Sequence, residues 1–133
     1  MYVTYNGYLY AVSSNLTSDE RLKSIHSYNY TVNKQLFMNI SPIEFNWKDS
    51  FVEDNHTHYG VGAQTLQKTI SDLGIKNTSI VDNSDPNQLS INYNELFMLS
   101  VPVVQEHEME IQSLKSRISQ LEAEILRMKG GSA

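Results

Sequence analysis

A chain of 133 residues with 40% hydrophobic and 10% aromatic content can fill one modest core, with room for an appendage, and is not intrinsically disordered. It has no cysteine, which excludes disulfide scaffolding, cysteine nucleophiles and thiolate metal sites. Ten basic against fifteen acidic residues, a net charge of −5, speak against nucleic-acid binding, and no apolar run approaches the roughly 20 residues that cross a bilayer.

The N-terminal stretch MYVTYNGYLYAV lacks the basic region of a secretory signal. Its Tyr, Val and Thr residues favour extended structure over residues 2–12, and Asn6-Gly7 between two such runs predicts a hairpin turn. Tyr8, Tyr10 and Val12 then share one strand face. Because strand-like sequence follows Met1 at once, the chain reads as a piece of something longer. The polar run Ser13 to Leu16 marks a boundary. After it, Thr17 with Glu20 fits a capping box at a helix start.

Between Ser24 and Asn39, Val32, Leu36 and Phe37 predict a short helix that ends before Pro42. Ile43, Phe45 and Trp47 alternate with Glu44, Asn46 and Lys48 as a half-buried strand. A polar loop with Glu53, Asp54, His56 and His58 follows. Leu66, Ile70 and Leu73 have helical spacing, with Gly74 at the helix C-terminus. Ile80-Val81 and Leu89–Tyr93 read as strands joined by a turn through residues 84–87.

The last third is a heptad. Val104, Ile111, Ile118 and Ile125 recur every seven residues as position a; Leu114, Leu121 and Met128 occupy position d, where His107 is the polar exception. In a parallel arrangement Glu110 faces Lys115, Arg117 faces Glu122 and Glu124 faces Lys129, all opposite in sign. A parallel homo-oligomer is therefore expected. Ile at a with Leu at d leans toward two strands, so the heptads alone leave dimer against trimer open. Pro102 marks either the first turn of this helix or a kink in one beginning near Asn94.

The chemical candidates come down to one pair. A serine hydroxyl needs a base, and a lysine can be that base if burial lowers its pKa, so Ser18 and Lys23 in TSDERLK form a candidate dyad. Five-residue spacing sets them well round an α-helix from each other, so contact demands a non-helical start with the lysine folding back. The cap and the dyad both remain open at this point. His56 and His58, near Glu53 and Asp54, are read as a polar loop entering a strand, with no metal site. Trp47 and the eight tyrosines are assigned to the core and subunit contacts ahead of a ligand-stacking surface.

Five blocks occur in one order: SDERLK at 18–23, ISPIEFNWKD at 40–49, HYGVGAQ at 58–64, INYNEL at 91–96, and the terminal heptads. Together, over about residues 16–129, they resemble the C-terminal intramolecular chaperone domain of phage tailspikes, tail fibres and endosialidases, a module similar to one in the myelin regulatory factor family. The segment Thr65–Lys76 departs from that pattern in lacking a proline.

The resemblance implies an α+β fold, a small mixed sheet with short helices and a long C-terminal coiled-coil helix, assembled as an intertwined homotrimer. It implies a chaperone that guides folding of the β-structured region before it and then cuts itself off. Ser18 would be the nucleophile and Lys23 its base. The cut falls at Thr17–Ser18, whose carbonyl Ser18 reaches through a five-membered ring, with Ser18–Asp19 as the fallback. Glu20, His58 and Gln64 would be supporting residues, the last two through core or inter-subunit hydrogen bonds. Residues 1–17 would then be the end of the upstream spike or fibre, 18–100 the chaperone and autoprotease core, 101–129 the coiled-coil helix and 130–133 a flexible tail. No cofactor, metal, nucleic acid or membrane is implied; the partners are two further copies and the upstream region. The expected setting is the host bacterial cytoplasm during virion assembly. The alternative is a trimerisation or binding module that never cuts.

Overall fold

The computed structural model describes residues 2–5, 8–11 and 13–131. Strand β1 (Tyr2–Tyr5) pairs antiparallel with β2 (Tyr8–Ala11), Tyr5 opposite Tyr8, the register a two-residue connection imposes. The predicted Asn6-Gly7 turn, Val12 and the last two residues of the tail lie outside the described residues. Strand β3 (Pro42–Phe45) pairs with β4 (His58–Val61), and β5 (Val81–Asp82) with β6 (Ser90–Ile91). The α+β class holds, but the expected single mixed sheet is corrected to separate antiparallel pairs. Strands of two to four residues offer too few ladder bonds to recruit a third strand beyond their hairpin partner.

Helix α1 (Tyr30–Met38) starts where Asn29 Oδ1 accepts the Val32 N–H at 3.3 Å. It ends at Asn39, whose side-chain amide donates to the Gln35 carbonyl at 2.7 Å, well before Pro42. Helix α2 (Ala63–Asp72) closes as its sequence predicts. Gly74 takes φ +71°, and the Ile75 N–H donates back to Ile70 O at 3.1 Å while Gly74 donates to Ser71 O at 3.0 Å. That paired closure needs a left-handed residue, which glycine adopts without a Cβ clash.

Two strand readings need correction. The alternation to Trp47 stops at Phe45, because the Asn46 side chain donates to His56 O at 2.8 Å in place of a further ladder bond. Trp47 instead packs edge-on to Phe45, centroids 5.0 Å apart, and against Phe51 at 5.4 Å. Tyr93 belongs to helix α3 (Tyr93–Met98) and not to a strand. Asn92 Oδ1 accepts the Glu95 N–H at 3.3 Å and starts the helix one residue after β6.

Helix α4 (Ser100–Gly130) follows after Leu99. Pro102 has no N–H to give the Met98 carbonyl and its ring crowds that oxygen, so α3 cannot run on and α4 begins with the proline in its first turn. At about 1.5 Å per residue, α4 is roughly 46 Å long. The interior gathers Leu36, Leu66, Ile70, Ile80, Leu96 and Leu99, with Val61, Leu73, Ile75 and Ile91 against them. Leu36 is 1% exposed and Leu96 fully buried, each such burial contributing roughly 1.5–3 kcal/mol. Val103 is the last buried residue; from His107 to Gly131 every residue of α4 and its cap is exposed. Among the described residues no helix is long and apolar enough to cross a membrane.

Candidate active site

The segment from Ser13 to Ser18 has no regular structure and is exposed. At Asp19 the backbone is extended (φ −68°, ψ 120°), and the carboxylate turns forward to accept the Arg21 N–H at 3.0 Å. A short acidic side chain can cap its own chain two residues on in this way. The Arg21 guanidinium closes on the same carboxylate through Nε at 3.0 Å and Nη2 at 2.7 Å. Those hydrogen bonds hold the Asp19 carboxyl below its ordinary 3.8 and raise Arg21 further. Leu22 N–H then donates to Asp19 O and Lys23 N–H to Glu20 O, forming one 3-10 turn over Glu20–Leu22.

Lys23 leaves that turn extended, at φ −113° and ψ 142°. On a regular α-helix a residue five positions on lies about 140° round the cylinder. With a single tight turn between non-helical ends, Lys23 folds back, and its Nζ donates to Ser18 Oγ at 2.6 Å. The predicted capping box is corrected. A box needs an α-helical third position for Glu20, whereas Glu20 opens a three-residue turn whose cap is Asp19. Thr17 and Glu20 are exposed beside the pair. Leu16, Leu22 and Ile25, its neighbours in sequence, are exposed apolar residues, Leu22 being 76% exposed.

The other expected residues sit apart from this turn in the sequence and in their own network. Asp54, largely buried, accepts from His56 Nδ1 at 2.5 Å and His58 Nε2 at 2.7 Å, and the His58 ring stacks on Phe45 with centroids 5.5 Å apart. Gln64 is exposed in the first turn of α2. Among the described residues no group of three or more His, Asp or Glu side chains is placed to hold a metal ion. Sequence reasoning missed the connection from the turn to the long helix. Six residues past Lys23, Asn29 starts α1, whose Tyr30 hydroxyl and Lys34 amine both donate to Glu106 of α4, the latter at 2.7 Å. No spacing rule links residues so distant in sequence.

The site thus consists of a serine hydroxyl within hydrogen-bond reach of a lysine amine, ahead of an α+β core with a long terminal helix. Residues 18–75 match the family model described as chaperone of endosialidase, whose name places it among the peptidases. The match begins at Ser18 itself and ends at Ile75, so β5, β6, α3 and α4 lie beyond it. A comparison with curated proteins gives no match.

Proposed function

We propose that the chain is an intramolecular chaperone that trimerises through α4, directs folding of a β-structured spike or fibre region preceding it, and releases itself by cutting Thr17–Ser18 during virion assembly in the bacterial host. The single observation that carries the cutting step is the 2.6 Å contact between Lys23 Nζ and Ser18 Oγ. In the step itself, neutral Lys23 takes the Ser18 hydroxyl proton as Oγ attacks the Thr17 carbonyl carbon. The Thr17–Ser18 C–N bond then breaks, its nitrogen leaves protonated as the new Ser18 amine, and Thr17 is held as an ester. Water hydrolyses the ester, regenerating the hydroxyl.

A lysine serves as base where packing strips water from its ammonium. In the single chain both residues are exposed, as are Leu16, Leu22 and Ile25, next to them in sequence. A neighbouring copy lying on that surface would dry the site, which would link cutting to assembly. The assembly half of the reading rests on the exposed stripe Val104, Ile111, Leu114, Ile118, Leu121, Ile125 and Met128 and on the opposite charges flanking it. Its purpose follows from folding physics: intertwined β-structure forms slowly through non-local contacts, and joining three chains at one end raises their effective concentration. Removing the joint afterwards leaves the product kinetically trapped.

The test is intact mass spectrometry of the chain bearing its native upstream region. A fragment beginning at Ser18 is expected, and it should vanish in Ser18→Ala and in Lys23→Ala. Trimers that remain uncut in the unsubstituted protein would leave only the non-cleaving trimerisation module.

A further inference from the structure

His107 is the one a or d position of the seam that is neither aliphatic nor methionine. Helix α4 runs unbroken through it, so it shares the stripe of Val104, Ile111 and Leu114 at helical spacings of three, four and seven. Its place along the helix is equally specific. Val103 is buried in the chain's own core and Glu106 is half-buried under Tyr30 and Lys34, whereas His107 is exposed and everything after it is too. His107 therefore stands directly after Glu106, the last half-buried residue of α4 among those described, one turn into the seam that Val104 opens.

Resting on the trimeric reading above, we propose that three copies of His107 meet at the axis of the parallel coil and bind one divalent transition-metal cation of the zinc type. Position d directs side chains inward, so the three imidazoles converge in one layer. Three imidazole nitrogens are a sufficient protein donor set for zinc, with water completing the tetrahedron. Left bare, the layer would place unpartnered polar rings in an apolar seam, which costs stability. The surroundings select the sign of the ligand. Each chain brings Glu106, Glu108 and Glu110 to this level, with Lys34 on Glu106 and the Gln112 amide donating to Glu108 at 2.8 Å. The excess negative charge favours a cation over an anion. Binding uses neutral imidazole and displaces any proton held there.

The experiment uses the tag-free full chain carrying Ser18→Ala, so that it stays whole, with zinc as the only added metal. Native mass spectrometry should find one ion per three chains. Circular dichroism at 222 nm should show the melting temperature rise by about 5 °C or more at roughly a hundredfold excess of zinc over its dissociation constant. His107→Leu and His107→Asn trimers should bind no zinc and show no shift. Trimers without zinc, or an equal shift in both variants, overturn this inference and leave the trimer intact. Monomers or dimers overturn the trimer and the inference together.

Discussion

Lys34 Nζ on α1 lies 2.7 Å from Glu106 Oε2 on α4, across 72 residues of sequence, and the Tyr30 hydroxyl shares the same oxygen. One carboxylate thus anchors the helix after the Ser18–Lys23 turn to the base of the long helix. Both charged side chains are about a third exposed, so the ion pair alone contributes about 0.5–1 kcal/mol and Lys34→Met should cost no more than that. Glu106→Ala strands two donors and should cost about 1–2 kcal/mol. Urea denaturation of both variants compares them; equal costs would show that the carboxylate is not a shared anchor.

Gly60 sits under the Tyr93 ring. A Cβ there would lie 2.6 Å from Tyr93 Oη, with Phe45 Cε1 next at 3.4 Å, and the same hydroxyl accepts the Val61 N–H at 3.0 Å. Gly60→Ala should cost about 1–3 kcal/mol by overpacking, and Tyr93→Phe about 0.5–1.5 kcal/mol by loss of the hydrogen bond. The double variant should be more stable than the sum of the two, since removing the hydroxyl makes the room that the methyl needs. Strict additivity in thermal melts would contradict this packing.

Base and positioning roles of Lys23 separate in Lys23→Arg. A guanidinium can still donate to Ser18 Oγ but cannot give up its own proton and take that of the serine. Self-cutting, followed as fragment released over hours, should fall by on the order of a thousandfold, as for loss of a general base in other acyl-transfer sites. Cutting at near-normal rate in this variant rules Lys23 out as the base.

The turn itself has a pH signature. Asp19 ionises below the ordinary 3.8 because Arg21 donates to it through side chain and backbone. A depressed carboxyl supports the folded turn at any pH above its unfolded value, and that support disappears as pH falls through the lower, folded one. In an NMR titration the Asp19 carboxyl carbon and the Arg21 amide should therefore shift together, below pH 3.8. Arg21→Ala should move the carboxyl midpoint up toward 3.8; an unchanged midpoint would mean that the ion pair does not form in solution.

Charge reversal tests the direction of the proposed coil. Arg117→Glu sets like charges against Glu122 of a parallel neighbour and should weaken association by about 0.5 kcal/mol per contact. Adding Glu122→Lys should restore it, as read by sedimentation equilibrium. An antiparallel pairing would show no such rescue.

Periodicity carried the helices across from sequence to structure. Leu66, Ile70 and Gly74 define α2 and its end, and the heptads define α4, because each is a local pattern repeated over several turns. What failed was decided by single side chains competing with the backbone: Asp19 took the cap from Thr17, Asn46 ended β3 early, and Asn92 turned Tyr93 from strand to helix. The candidate pair was nameable from residue chemistry and was singled out by a resemblance, whereas its contact was not derivable, since a spacing of five argues against it until one knows that only three residues are helical. The anchor at Glu106 was invisible for a different reason: nothing in a linear reading links it to Tyr30.

The partition of the interior gives a cut at Thr17–Ser18 an unusual physical character. Leu36, Leu66, Ile70, Ile80, Leu96, Leu99 and Val103 all lie on its downstream side, as do both hairpins that pack with them. Severing the chain there behaves as a perforation and not a fracture. Among the described residues, every buried side chain stays on the piece that begins at Ser18.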